Sequence, residues 1–204
     1  MEDKKTWHHE IDFRCSFGMW PFRKTFEIAP GGFSWCGELY PLRFITRLRW
    51  GVDLRRGGVF PKRVYRTMFG TSDKEFIIKT KQKDFYEHLT DRLWKAVGKR
   101  LLSEMLEGLA KGEKFAFGDF TVEDEGITVT TKNAFSSAVQ SYYTWDKLRW
   151  GIVNGSLCFA ESGDSGKNLA SSSFLWVDNA HVLNVAMGLL QSSKNKKKLS
   201  SAKF

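Results

Sequence analysis

The tetrapeptide Leu48-Arg49-Trp50-Gly51 returns as Leu148-Arg149-Trp150-Gly151 about a hundred residues later, and no other feature restricts the architecture of this chain as strongly. Its weight comes from context. Upstream of the first copy stand Phe26-Glu27-Ile28, the turn Ala29-Pro30-Gly31-Gly32 and Phe33-Ser34-Trp35. Upstream of the second stand Phe120-Thr121-Val122, the turn Glu123-Asp124-Glu125-Gly126 and Ile127-Thr128-Val129. Each set reads as strand, tight turn, strand. Downstream, each copy passes through further strands into a helix. The expectation is one segment present twice in tandem, set against a single large β-rich domain with a chance match.

The first copy offers strand patterns at 24–28, 33–39, 44–54, 59–68 and 75–80. From Lys83 to Ala110 the pattern becomes helical. Phe85, Leu89, Leu93, Val97, Leu101, Met105 and Leu109 recur every four residues, and Trp94, Leu102 and Leu106 widen the stripe. Such a helix spans roughly 40 Å, more than one small β domain needs, so its far end is expected to connect to the second copy. There, strands are expected at 115–122, 126–131, 139–145, 147–153, 156–161 and 171–177. Asn154-Gly155 suits a two-residue type I′ hairpin turn. Asp178 is the expected cap of a helix running through Leu190. The polar, lysine-rich residues from 192 to 204 are expected to be disordered, and Ile11–Phe17 is read as an added edge strand.

Composition narrows the class. Of 204 residues, 42% are hydrophobic and 15% aromatic, enough for a packed core and too many for a disordered chain. No uncharged apolar run approaches the length of a membrane-spanning helix. Charges at Met1–Lys5 leave no visible secretory signal. Three cysteines do not make a disulfide framework and point to a reducing cytoplasm.

Strands closed by an amphipathic helix, repeated twice, resemble tandem pleckstrin-homology-like domains of the bacterial type. The features that carry the resemblance are the early Phe-x-Ile/Val-turn-Gly unit, the aromatic middle with its Leu-Arg-Trp-Gly hairpin, and the strand-to-helix exits at Ile77-Ile78-Lys79-Thr80 and Leu175-Trp176-Val177-Asp178. The resemblance covers about 24–110 and 113–191. It implies an α+β, mainly β fold of two curled antiparallel sheets or barrels, each closed by a C-terminal helix, the first helix long and connecting. The expected domains are 1–111, with its N-terminal extension, and 112–191, followed by the basic tail 192–204. The resemblance also implies binding of lipid headgroups, peptides or proteins rather than catalysis. Relatives that bind phosphoinositides carry basic residues in the loop between the first two strands. Here both turns depart from that pattern, and the second is acidic.

Charge is distributed unevenly. Residues 1–100 carry 21 lysines and arginines against 12 acids, 101–193 carry six against 11, and 194–204 carry five lysines and no acid. Within 41–70, Arg43, Arg47, Arg49, Arg55, Arg56, Lys62, Arg63 and Arg66 meet only Asp53. Alternation puts Arg47, Arg49 and Asp53 on one strand face, opposite Leu48, Trp50 and Val52. Arginine forms bidentate contacts with phosphate, so the cluster is the candidate site for an anionic lipid or an acidic protein surface; a solvated sheet face is the plain alternative. The tail lysines Lys194, Lys196, Lys197 and Lys198 extend the same chemistry. No RNA- or DNA-binding motif is present, so nucleic acid is not the expected partner.

Catalytic readings are weaker. Gly163-Asp164-Ser165-Gly166 has the look of a serine-protease nucleophile segment, but it lacks a His/Asp context and reads as a loop. His8, His9, Glu10 and Asp12 are metal-ligand types, yet adjacent histidines on a strand face opposite ways. Cys15, Cys36 and Cys158 are expected to be buried thiols. The leading expectation is a non-enzymatic cytoplasmic adaptor whose basic first domain engages an anionic membrane surface or an acidic protein partner, without cofactor or metal. The second is a protein–protein interaction or self-assembly module without lipid binding.

Overall fold

Alternating burial along short runs decides most of the secondary structure. In the segment 24–29, Phe26 and Ile28 are sequestered while Lys24, Thr25 and Glu27 face outward, the period-two signature of a half-buried strand. The computed structural model describes residues 10–17, 23–55, 62–131, 138–163, 168–193 and 197–201, with the backbone alone at Arg55 and Thr131. It is mainly β, with 46% strand and 30% helix.

The chain divides into two compact units, Met1–Arg100 and Leu101–Phe204. In the first, β1 (Phe13–Phe17), β2 (Lys24–Ala29), β3 (Gly32–Trp35) and β4 (Glu38–Tyr40) form one antiparallel meander in sequence order. A 3-10 turn at Leu42–Phe44 leads into a second, β5 (Arg47–Arg55), β6 (Lys62–Gly70) and β7 (Glu75–Thr80). Helix α1 (Lys83–Leu93) then continues through a π turn at Trp94–Gly98 into α2 (Lys99–Ala110). The second unit has the same order. Strands β8 (Phe115–Phe117), β9 (Phe120–Glu123), β10 (Gly126–Thr131) and β11 (Val139–Thr144) form a four-stranded meander. A 3-10 turn at Trp145–Lys147 precedes β12 (Leu148–Val153), β13 (Ser156–Glu161) and β14 (Asn168–Ser173), and α3 (Ala180–Ser192) follows. Among the described residues none of the four sheets closes into a barrel. No described helix is long and apolar enough to cross a membrane.

Aromatic side chains join the two meanders of each unit. In the first, Phe26 and Phe33 meet Phe69 at 5.1 and 5.3 Å between ring centroids, and Phe33 meets Phe76 at 4.9 Å. In the second, Phe120 meets Phe159 edge-on at 5.2 Å. Such pairs add about 0.5–1.5 kcal/mol each beyond their area. Arg100 donates to the carbonyls of Leu42 and Ile45, tying its helix to the crossing between the first unit's sheets.

The repeat is visible at single positions. Gly32 follows the β2–β3 turn and Gly126 the β9–β10 turn, and a Cβ at either would lie 2.5 Å from the Tyr40 carbonyl oxygen or 2.1 Å from that of Tyr143. Phe33 pairs with Tyr40 and Ile127 with Tyr143, so the two glycines admit the same close approach of a neighbouring strand. Leu48 and Leu148 both enter the core just after the 3-10 turn. The edge strand expected at 11–17 is β1, which takes the place that β8 takes in the second unit.

Several local expectations are corrected. The run 33–39 is broken by a turn at Cys36-Gly37, both with left-handed φ (53° and 91°). The run 115–122 is broken at Gly118, also left-handed. Strand β14 begins and ends earlier than the 171–177 pattern, because Phe174–Val177 turn back on Ser173 through the amides of Trp176 and Val177. The cap of α3 is Asn179 in a left-handed conformation, one residue past Asp178, and its side chain makes no cap bond. Residues 197–201 of the tail are ordered, ending in a 3-10 turn with Leu199 fully buried, where disorder was expected.

Candidate anionic-surface site

The sheet β5–β6–β7 carries the basic cluster, and its register divides that cluster. Leu48 lies opposite Phe69, Trp50 opposite Thr67, Val52 opposite Tyr65 and Leu54 opposite Arg63; these rows share the inner face. On the outer face Arg49 lies opposite Met68, Gly51 opposite Arg66 and Asp53 opposite Val64, and the backbone of Arg55 pairs with Lys62. Strand β7 adds Glu75, Ile77 and Lys79 to the outer rows.

Three arginines are engaged within the protein. Arg47 donates from Nε to the Thr71 carbonyl at 2.9 Å and from Nη2 to the Lys74 carbonyl at 3.2 Å, holding the β6–β7 turn. Arg49 pairs with Glu75 and Arg66 with Asp53, and both guanidinium groups are largely covered. Glu75 opens the 75–80 strand, beyond the 41–70 window that defines the basic cluster. The signal that finds it is the two-residue period of β7, which turns Glu75 toward the outer face. The cluster is thus partly a sheet face neutralised by its own carboxylates.

The others lie apart. Arg43, exposed on the 3-10 turn, sits 5.0 Å over the ring of Phe44, itself 52% exposed. Lys62 and Arg63 are exposed on β6 toward the end of the β5–β6 hairpin. There the inner face runs out of the core: Leu48 is 0% exposed, Val52 41% and Leu54 60%. Arg56 and the rest of the hairpin tip through 61 lie outside the described residues, as do the side chain of Arg55 and, in the tail, Lys194 and Lys196. Lys198 pairs with Glu125 at 3.2 Å. Lys197 adds to the forces, led by the Thr144 hydroxyl, that hold the Asp146 carboxyl below its ordinary pKa.

Among the described residues the remaining metal-ligand types do not gather into a site. Among the described residues no group of three His, Cys, Asp or Glu side chains could hold a metal ion. His8, His9 and the Asp164-Ser165-Gly166 segment lie outside the described residues. Cys15 is half-buried, and burial pushes its thiol pKa up to about 11. Cys36, expected inside, is exposed because it occupies the β3–β4 turn. Cys158 is half-buried on the outer face of β13.

No protein-family model, curated protein or solved structure matches this chain.

Proposed function

We propose that the chain is a non-enzymatic binding protein of two pleckstrin-homology-like units, descended from one duplicated segment, and that the first unit docks on an anionic membrane surface through its β5–β6 hairpin. The unit assignment draws support from the shared order of four strands, 3-10 turn, three strands and helix. It also draws on the matched pairs Phe26/Phe120, Ile28/Val122, Gly32/Gly126 and Leu48/Leu148.

The observation that carries the docking reading is Leu54, 60% exposed and directly opposite the exposed Arg63, with the exposed Lys62 next along β6 on the other face. Asp53, the nearest carboxylate on β5, is already taken by Arg66. An apolar side chain among unneutralised cations suits the boundary between headgroups and acyl chains. There each cation contributes about 1 kcal/mol on an anionic surface, and sequestering a leucine contributes about 1.5–3 kcal/mol at most. Arg47, Arg49 and Arg66 act differently in this reading: they keep the sheet in shape behind the contact.

Vesicle sedimentation tests it. The protein is expected to pellet with vesicles of mixed phosphatidylcholine and phosphatidylserine, not with phosphatidylcholine alone, and less at high salt. Lys62→Glu with Arg63→Glu is expected to abolish pelleting, and Leu54→Ser to weaken it. Failure of the unaltered chain to pellet with the anionic vesicles at low salt overturns the reading.

A further inference from the structure

We infer that the acidic β9–β10 turn of the second unit is a recognition site for a basic peptide of the form Lys-Leu-Ser, occupied in this chain by residues 198–200 of its own tail. The inference is independent of the membrane reading, which concerns the first unit.

Asp124 reads the tail twice. Its carbonyl accepts the Leu199 amide at 2.8 Å while also accepting the Trp145 indole N–H at 2.8 Å. Its carboxylate accepts the Ser200 amide on Oδ1 at 2.8 Å and the Ser200 hydroxyl on Oδ2 at 3.0 Å. Lys198 Nζ reaches Glu125 at 3.2 Å. Leu199 is 0% exposed although it stands in an otherwise polar, lysine-rich stretch. Two successive backbone donors fix the peptide's direction, and the leucine socket, the serine hydroxyl and the lysine select its sequence.

The fold does not require this device. The corresponding turn of the first unit, Pro30-Gly31, has no carboxylate. Beside Lys198 a cleft of about 290 Å³ continues, lined by Lys114, Glu123, Glu125 and Tyr142 among others. Its lining carries Glu113, Glu123, Asp124 and Glu125 against Lys114 and Lys198, with Lys114 paired to Glu123 at 3.0 Å; burial first, then Glu123, Glu125 and Asp124, raise the Tyr142 phenol pKa. Because the tail is tethered, it holds the site at a high effective concentration, and a free peptide must compete with it.

The probe is a fluorescent peptide with the sequence of residues 197–201, Lys-Lys-Leu-Ser-Ser, titrated by anisotropy into the full chain. Leu199→Asp should expel the tail and raise affinity for the peptide at least about tenfold over the unaltered chain, as removal of a tethered competitor predicts. Adding Asp124→Asn should return binding to background. A peptide carrying phosphoserine at the first serine should fail to bind, since its dianion would face Asp124. Ser200→Pro removes both donors to the carboxylate without introducing a buried charge, and serves if Leu199→Asp does not fold. If neither variant binds better than the unaltered chain, or if a scrambled peptide binds equally, the site is overturned.

Discussion

At the scale of single residues, the sharpest constraint is the approach of a tyrosine carbonyl to a glycine in each unit. A methyl group at Gly32 or Gly126 would overlap backbone, which cannot rotate away, so the neighbouring strand would have to move. Gly32→Ala and Gly126→Ala are each expected to lower stability by about 1–3 kcal/mol, read as a lower urea midpoint with an unchanged slope. Gly151→Ala is the control. A Cβ there meets nothing within 4 Å, and the change should stay within about 0.5 kcal/mol. Equal effects at all three positions would remove the steric account.

At the scale of elements, the β5–β6 hairpin separates two kinds of arginine. Arg49 and Arg66 stand against Glu75 and Asp53 on the outer sheet face, whereas Lys62 and Arg63 face solvent. Replacing Arg49 or Arg66 by glutamine should leave vesicle binding intact while lowering stability by about 0.5–1 kcal/mol, the scale of a partly exposed pair. Loss of binding without loss of stability would reverse the assignment. Much of this element level was legible beforehand. Asn154-Gly155 announces its turn because both residues tolerate positive φ, observed at 49° and 73°, and Val153 duly pairs with Ser156. The helical run was legible from its four-residue stripe. What escaped was tertiary: the partner Glu75 sits on another strand. The ordered tail depends on one leucine and a distant aspartate, which local polarity does not reveal. The cap of α3 escaped for a related reason, since a left-handed Asn179 replaces the side-chain cap that Asp178 suggested.

At the scale of the whole molecule, burial sets an alkaline limit, and the two groups it shifts most, Cys15 and Tyr86, lie in the first unit. The Cys15 thiol is raised from 9.0 to about 11 and the Tyr86 phenol from 10.0 to about 12, both chiefly by desolvation. In each case the folded pKa exceeds the unfolded one. Between the two values the unfolded chain has lost a proton that the folded chain keeps, so stability is complete below the unfolded pKa and declines as pH rises toward the folded one. The urea midpoint is expected to fall progressively from about pH 9 to about pH 12, and Tyr86→Phe should flatten the upper part of that fall. A midpoint constant across this window would show that neither group is shielded from water.

The border between the units, Arg100 to Leu101, interrupts nothing in the backbone: the spiral from Lys83 to Ala110 passes through it turn after turn. Scission at that border would strand about four amides on one fragment and four carbonyls on the other. Among the described residues, the border between the units therefore offers a protease a hydrogen-bonded helix and no loop.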